Sequence, residues 1–204
     1  MSDFAFVIPA QDSNRFSKLG DLEIFGGTTL LEWKISQIKS MDEKHSIYVI
    51  TPSERIKKLV EEFGVKIIVR EHGLDFSEVV KCAAENVTEE YIIWANPTCP
   101  FVSEADYKEM ASALITSKYD SLISGRAYNE YAFFSGKKLN FSAERFISRS
   151  DIEPVFVSTN GCFIRKKDDL RNSGSLFGNN PYFYSLSDIA SMEIKDLTDA
   201  VLCN

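Results

Sequence analysis

The chain has 204 residues, 44% of them hydrophobic, with 23 Lys and Arg against 30 Asp and Glu for a net charge of −7, and only 10 Gly and 6 Pro. A chain of this length buries about 70% of the surface its unfolded form exposes, so its core needs neither disulfides nor a structural metal, and disordered and collagen-like classes are excluded. The acidic balance argues against a surface built to track nucleic acid or anionic lipid.

Phe4 to Ile8 is a continuous apolar run ended by Pro9, as expected of a strand covered on both faces. Thr29 with Glu32 three residues later is a capping-box signature, and Leu31, Ile35, Ile38 and Met41 then line one helix face. Ser46 to Thr51 predicts a second strand, closed by Pro52. Ile56, Leu59, Val60 and Phe63 recur at helical spacing with Gly64 as the stop, before a third strand from Lys66 to Arg70. Val79, Val80, Ala83 and Ala84 mark another helix, and Tyr91 to Trp94 a fourth strand, with Pro97 and Pro100 forcing a loop after it. Ser103 to Ser117 carries Tyr107, Met110, Ala111 and Leu114 on one face, and Asp120 to Ser124 is a fifth strand. Strands alternating with helices of this length imply βαβ units and parallel strands, hence an α/β class.

After Gly125 the pattern changes. Residues 126 to 157 are aromatic and polar by turns, with a turn at Gly136, and read as short antiparallel strands forming a flap or dimer arm; Phe133, Phe134, Phe141 and Phe146 there are expected in the core or a dimer interface. Phe156 to Ile164 predicts a return strand, Lys166 to Arg171 a short helix, and Asn172 to Asn180 a loop. Charge is uneven too, since residues 137 to 171 hold eight Lys and Arg against five Asp and Glu. No repeat or linker divides the chain, so residues 1–204 are expected as one domain.

No basic region precedes the first apolar run, and no window approaches the ~20 apolar residues of a membrane span, so the expectation is a cytoplasmic protein without membrane contact. Cys82, Cys99, Cys162 and Cys203 lie far apart and, with His45 and His72, complete no zinc spacing. They read as reduced thiols, with Cys99, between two prolines, the one to test for reactivity.

Ligands of open parallel sheets bind beyond the carboxyl ends of the strands, at a topological switch point. The loops after the first, third and fourth strands are therefore the places to look. The first, Pro9 to Lys18, is small and polar with two cations, Arg15 and Lys18, and such a loop can turn backbone N–H groups and cations toward a triphosphate. It lacks the glycines and the Gly-Lys-Ser/Thr ending of a Walker loop and does not match the glycine-rich Rossmann fingerprint. Taken alone, it also reads as a solvated surface loop.

Longer segments are more specific. Ile8-Pro9-Ala10, then Arg15 and Lys18, then Leu22 to Glu32 with Gly26-Gly27-Thr28-Thr29-Leu30-Leu31, resembles the opening of nucleotidyltransferases that make sugar nucleotides. Asn96-Pro97-Thr98-Cys99-Pro100-Phe101, followed by a helix and by Asp120, Ser121 and Ser124, resembles a Gln-Pro-Thr-Ser-Pro-Leu loop and its "Asp-Ser-x-x-Ser" strand. Arg149 to Phe156 and then Asn160-Gly161-Cys162-Phe163-Ile164 resemble an "Arg-x-Gln-Asp-Leu-Pro-x-Val-Tyr … Asn-Gly-x-x-Tyr" block, and Arg70 with Asp75 and Ser77 falls where "Arg-Pro … Asp … Ser" is found. In this order, over nearly the whole chain, the segments resemble the acylneuraminate cytidylyltransferase family, which makes CMP-sialic acid and related CMP-activated sugars.

The resemblance implies a Rossmann-like, GT-A-like three-layer nucleotidyltransferase fold, mostly parallel with a small antiparallel arm at 126–157, and a homodimer. It implies Mg²⁺-dependent attack of an acidic sugar's hydroxyl on the α-phosphate of CTP. Arg15 and Lys18 would offset triphosphate charge. Ala10, Gln11, Ser13 and Asn14 would contact the nucleotide, and Arg70 and Ser77 would help read the base. Asn96, Thr98, Asn160 and Gly161 would face the sugar, with Glu193 and Asp196 left to hold the metal. Two positions depart from the family pattern: Gln11 replaces an arginine, and Lys195 stands where one acid of an Asp-Ile-Asp metal pair belongs. Besides a cytidylyltransferase for a nonulosonic-type sugar, the sequence admits a non-catalytic nucleotide-binding or partner subunit, or a nucleotidyltransferase for another sugar or polyol phosphate.

Overall fold

A computed structural model describes residues 3–14, 17–41, 45–142, 144–196 and 198–200. The chain opens with β1 (Phe4–Pro9), a loop and a small hairpin, β2 (Ile24–Phe25) and β3 (Thr28–Thr29), then α1 (Leu30–Lys39), β4 (Ser46–Thr51), α2 (Glu54–Phe63) and β5 (Lys66–Val69). α3 (Phe76–Asn86), β6 (Tyr91–Trp94), α4 (Glu104–Ile115) and β7 (Ser121–Tyr128) follow. A hairpin of β8 (Phe133–Phe134) and β9 (Lys137–Lys138) precedes β10 (Val155–Lys166), α5 (Lys167–Ser173) and β11 (Pro181–Ser185).

Local chemistry sets the helix ends. The Thr29 hydroxyl accepts from Glu32 N–H at 3.2 Å while the Glu32 carboxylate accepts from Thr29 N–H at 2.8 Å, the expected capping box. Asp75 with Glu78 and Ser103 with Asp106 repeat it at α3 and α4. α2 stops at Gly64, whose φ of 63° is left-handed backbone that glycine adopts without penalty.

Among the described residues, seven strands form one sheet in the order β11-β7-β10-β6-β1-β4-β5. β1 pairs parallel with β4 and β6, β4 with β5, and β7 with β11, while β10 runs antiparallel to both β6 and β7. β1 is covered on both faces, as its apolar run requires. Phe4, Phe6 and Ile8 pack with Leu31, Ile35 and Ile38 of α1, Ile56 and Val60 of α2, and Tyr107, Met110 and Leu114 of α4. Ala5 and Val7 face the other layer, with Val79, Val80, Ala83 and Ala84 of α3 and Leu170 of α5. This is an α/β, Rossmann-like three-layer fold with a mostly parallel sheet and small antiparallel additions, the class expected.

Two differences matter. β11 lies beyond the last expected element, and it extends the sheet beside β7. Gly125 does not end its strand: β7 runs on to Tyr128, and β10 lies so close at Gly125 that a Cβ built there would sit 2.4 Å from the Val157 carbonyl. The arm is therefore partly a prolongation of β7 and β10, with the β8–β9 hairpin turning through Ser135 and Gly136. Phe133, Phe134 and Phe146 are exposed, Phe146 to 87%, so of the two places expected of them, core or dimer interface, they do not take the core.

Candidate functional site

The chain passes from β1 outward to β4 and β5, then returns to lay β6 on the other side of β1. The crevice at that reversal is where an open sheet of this kind binds ligands. Two adjoining cavities lie there. One, of about 170 Å³, is lined by Pro9, Ala10, Gln11, Ile50, Arg70, Leu74, Phe76 and Val79. The other, of about 200 Å³, shares Pro9, Gln11 and Phe76 and adds Asn14, Asp21, Asn96, Pro97 and Thr98. A larger cavity of about 430 Å³ opens at the amino ends of β4 and β5, beside Ser46 and Lys66, at the wrong edge of the sheet for such a site.

The loop after β1 is pinned by one carboxylate. Gln11 N–H donates to Asp21 Oδ2 at 2.8 Å, and Asp21 N–H donates back to the Gln11 carbonyl at 2.8 Å. Gly20 makes this approach possible. Its φ is +55°, and a Cβ there would lie 2.3 Å from the Gln11 carbonyl oxygen and 2.6 Å from Ser13 N. Asp21 is buried, and burial pushes its carboxyl up to about 7, against the opposing hydrogen bond from Gln11. Asp12, next along, accepts from the Ser53 hydroxyl at 2.5 Å, and Asn14 Oδ1 accepts from Ser17 N–H at 3.0 Å.

Of the residues expected at the site, Ala10, Gln11, Asn14, Arg70, Asn96 and Thr98 line the two cavities. Ser13 adjoins them through its backbone against Gly20. Lys18 is exposed on the turn before Gly20, and Arg15 lies outside the described residues, as does Cys203. Ser77 does not face the cavities but packs against Gly174 after α5. Asn160 joins from β10: its carbonyl accepts from Asn96 Nδ2 at 2.6 Å. Gly161 is buried between Val102, Ser124 and Leu186, where a Cβ would sit 3.0 to 3.3 Å from each, so its role is close packing beside the β10 bulge. Cys99 is buried and its thiol is pushed up to about 12, first by desolvation, which makes it inert rather than reactive.

Phe76 was not singled out by its sequence. It opens α3 directly after the Asp75 cap, stays 58% exposed, borders both cavities and sets its ring edge-on to buried Trp94, centroids 5.8 Å apart. An exposed aromatic ring bordering both cavities can offer a planar group a surface to stack on. Its only sequence signal is an aromatic residue at a helix start within a polar stretch.

The resemblance implies Mg²⁺ at the C-terminal acids, and these side chains do not fit it. Glu193, its side chain 9% exposed, accepts from Asn160 Nδ2 at 2.5 Å and has Lys195 Nζ 3.4 Å away. Asp196 Oδ1 accepts from Asp199 N–H at 2.9 Å, and Asp199 Oδ2 accepts from Lys195 N–H at 2.8 Å. A hard cation takes several oxygens, and here an ammonium already stands beside the one sheltered carboxylate. Among the described residues no three His, Cys, Asp or Glu side chains are grouped to hold a metal.

A mostly parallel seven-stranded sheet with its cleft at the switch point, walled by the loops after β1, β5 and β6, is the Rossmann-like nucleotidyltransferase fold. The chain belongs to the cytidylyltransferase family, whose pattern matches residues 5–168. It is 28% identical over 124 residues to a 3-deoxy-manno-octulosonate cytidylyltransferase of Rickettsia canadensis, covering 58% of this chain and 50% of the relative, so it spans about half the length of the curated relatives it matches. It is 18% identical over 222 residues to a post-translational flagellin modification protein B of Campylobacter coli, covering 98% and 92% of the two. Among solved structures, a CMP:2-keto-3-deoxy-manno-octonic acid synthetase complexed with CTP superposes with a TM-score of 0.67 at 14% identity over 91% of each chain. A 4-diphosphocytidyl-2C-methyl-D-erythritol synthase of Anaerococcus prevotii does so with a TM-score of 0.74 at 13% identity over 100% and 97%. Both likenesses concern the fold.

Proposed function

We propose that the protein is a cytidylyltransferase that transfers CMP from CTP to an acidic sugar of the nonulosonic type, with release of pyrophosphate, in the cytoplasmic synthesis of surface glycans. The observation that carries this is the paired cavity at the switch point, where Gln11, Arg70 and Asn96 converge beside the exposed ring of Phe76. Family membership supports CTP as the donor. The relatives named for an octulosonate cytidylyltransferase and for flagellin modification support an acidic sugar destined for a surface product. In the reaction a sugar hydroxyl attacks the α-phosphorus, a P–O bond to the sugar forms, and the bridging P–O bond to the β-phosphate breaks.

Ala10, Gln11, Ser13 and Asn14 present the β1 loop to the nucleotide, and Arg15 and Lys18 offset triphosphate charge. Arg70 flanks the base, which stacks on Phe76, while Asn96, Thr98 and Asn160 face the sugar. The exposed aromatic cluster of the arm, where Tyr131 meets Phe141 at 5.0 Å and Phe133 meets Phe141 at 5.2 Å, is the homodimer contact. Pyrophosphate release with CTP, Mg²⁺ and sialic, legionaminic, pseudaminic or Kdo-type acids tests the activity. Folded protein that turns over none of them defeats it.

The Glu193–Lys195 pair favours a second reading, a nucleotide-binding partner subunit without turnover. Calorimetric binding of CTP with no pyrophosphate from any acceptor would select it.

A further inference from the structure

We propose that Lys34 is a positioning residue of the cleft: its buried ammonium fixes the Cys99 carbonyl and so holds the 96–100 loop, one wall of the cleft, at its working height. The proposal rests on the cleft being the ligand site described above.

Lys34 lies on the core face of α1 and is wholly buried, an unusual place for a lysine. Its three N–H groups all find partners, and all are neutral: Gln37 Oε1 at 2.8 Å, the Cys99 carbonyl at 2.8 Å and the Tyr107 hydroxyl at 3.2 Å. The groups facing it from the neighbouring elements are Cys99 of the loop, Cys162 of β10, and Tyr107 and Asp106 of α4. Asp106 is committed elsewhere, its carboxylate accepting from Ser103 N–H at 2.8 Å and Ser103 Oγ at 2.6 Å. Among the described residues no carboxylate hydrogen-bonds to Lys34; burial pulls its ammonium down to about 8, against the smaller opposing influence of Cys99, Cys162 and Asp106. An apolar side chain of the same length would fill the site without that desolvation. What the ammonium adds is the bond to the loop.

The bond is one of a set. Trp33 Nε1 and Gln37 Nε2 both donate to the Pro100 carbonyl, at 3.0 and 3.2 Å, so one face of α1 grips two consecutive carbonyls. On the far side of the same loop, Asn96, Pro97 and Thr98 line the larger of the two cleft cavities. The Thr98 carbonyl accepts from Ile194 N–H at 2.8 Å, and Asn96 reaches Asn160. A shift of Cys99 would thus move the cleft wall and the C-terminal segment together.

The test compares Lys34→Met with the wild-type chain. We expect the variant to melt at or above the wild-type temperature, yet to exchange the backbone amides of Thr98, Cys99 and Phe101 at least tenfold faster and to bind CTP about tenfold more weakly by calorimetry. Wild-type affinity should fall between pH 7.5 and pH 9 as the ammonium deprotonates, and the variant should lack that fall. Unchanged exchange and unchanged affinity in Lys34→Met overturn the proposal. If the wild-type chain binds no CTP, the nucleotide assignment falls, while the exchange comparison still decides the role of Lys34. Should Lys34→Met not fold, wild-type protection of the Thr98, Cys99 and Phe101 amides, corrected for intrinsic exchange, decides alone: it drops between pH 7 and pH 9 if the ammonium holds the loop and stays level if it does not.

Discussion

Replacing Asp21 by asparagine should stabilise the protein, increasingly so as pH rises. The carboxyl moves from 3.8 to about 7 because burial strips its water, and the single backbone bond from Gln11 only partly compensates. A folded-state value raised above the unfolded one means that the ionised carboxylate opposes folding. The penalty is absent below the unfolded value, grows as pH rises from 3.8 toward 7, and is constant above that. At ~1.4 kcal/mol per pH interval, it amounts to about 2 kcal/mol at pH 5 and about 4 kcal/mol at pH 8. Asparagine removes the charge and keeps a carbonyl oxygen for the Gln11 N–H, so the gap between variant and wild type should widen by about 2–3 kcal/mol between those pH values. For a chain of this size that is about 5–10 °C in Tm. Paired thermal melts at pH 5 and pH 8 measure it. A gap that stays flat or narrows would show that Asp21 is not held against its ionised form, and the account of the Gln11–Asp21 pair would fail.

Phe76→Ala should weaken CTP binding about tenfold if the base stacks there, while Phe76→Trp retains it; with Trp33→Phe in the background, Trp94 fluorescence reports binding directly, and equal affinities would refute the stacking role. Gly20→Ala places a methyl group against the Gln11 carbonyl at a left-handed position, so it should lower stability by about 3 kcal/mol, read by urea unfolding. A wild-type midpoint in that experiment would contradict the loop geometry. Changing Phe133 and Phe146 together to serine should convert a dimer to a monomer of unchanged melting temperature by light scattering, and a dimer that persists would place the interface elsewhere.

Local patterns made most of the scaffold legible. The capping box at Thr29, the helix beginning at Ser103, the Gly64 stop and the double-sided apolar run of β1 each depend on neighbours a few residues away, so the sequence states them directly. The cleft loops followed from topology, since the loops after β1, β5 and β6 meet at the switch point. What stayed hidden depends on distant partners. Asp21 was not singled out by its sequence, and its burial depends on the close approach of Gly20 to Gln11. Lys34 shares an i, i+3, i+7 face with Leu31 and Ile38, a usable signal, but its meaning comes from Cys99, 65 residues on. β11 carries three consecutive aromatics, Tyr182 and Tyr184 half-buried against the core and Phe183 exposed between them, and its pairing with β7 follows only once β10 has turned back.

Lys195→Asp separates the two accounts of the C-terminal acids. In the wild-type chain the Lys195 ammonium, 3.4 Å from Glu193, offsets the one sheltered carboxylate, and Asn160 takes its other oxygen. A divalent cation at Glu193 would have to displace or approach that ammonium, so wild-type protein should bind Mn²⁺ weakly there. The substitution replaces the repelling charge by a second carboxylate two residues from the first, which supplies hard oxygen ligands of the kind such a cation takes. Mn²⁺ titration, followed by calorimetry and by paramagnetic broadening of the Asn160 and Glu193 signals, should therefore show at least tenfold tighter binding in Lys195→Asp. If the wild-type chain already broadens those signals at low Mn²⁺ and the variant gains nothing, the ammonium is no obstacle, and Glu193 is a metal ligand despite its neighbour.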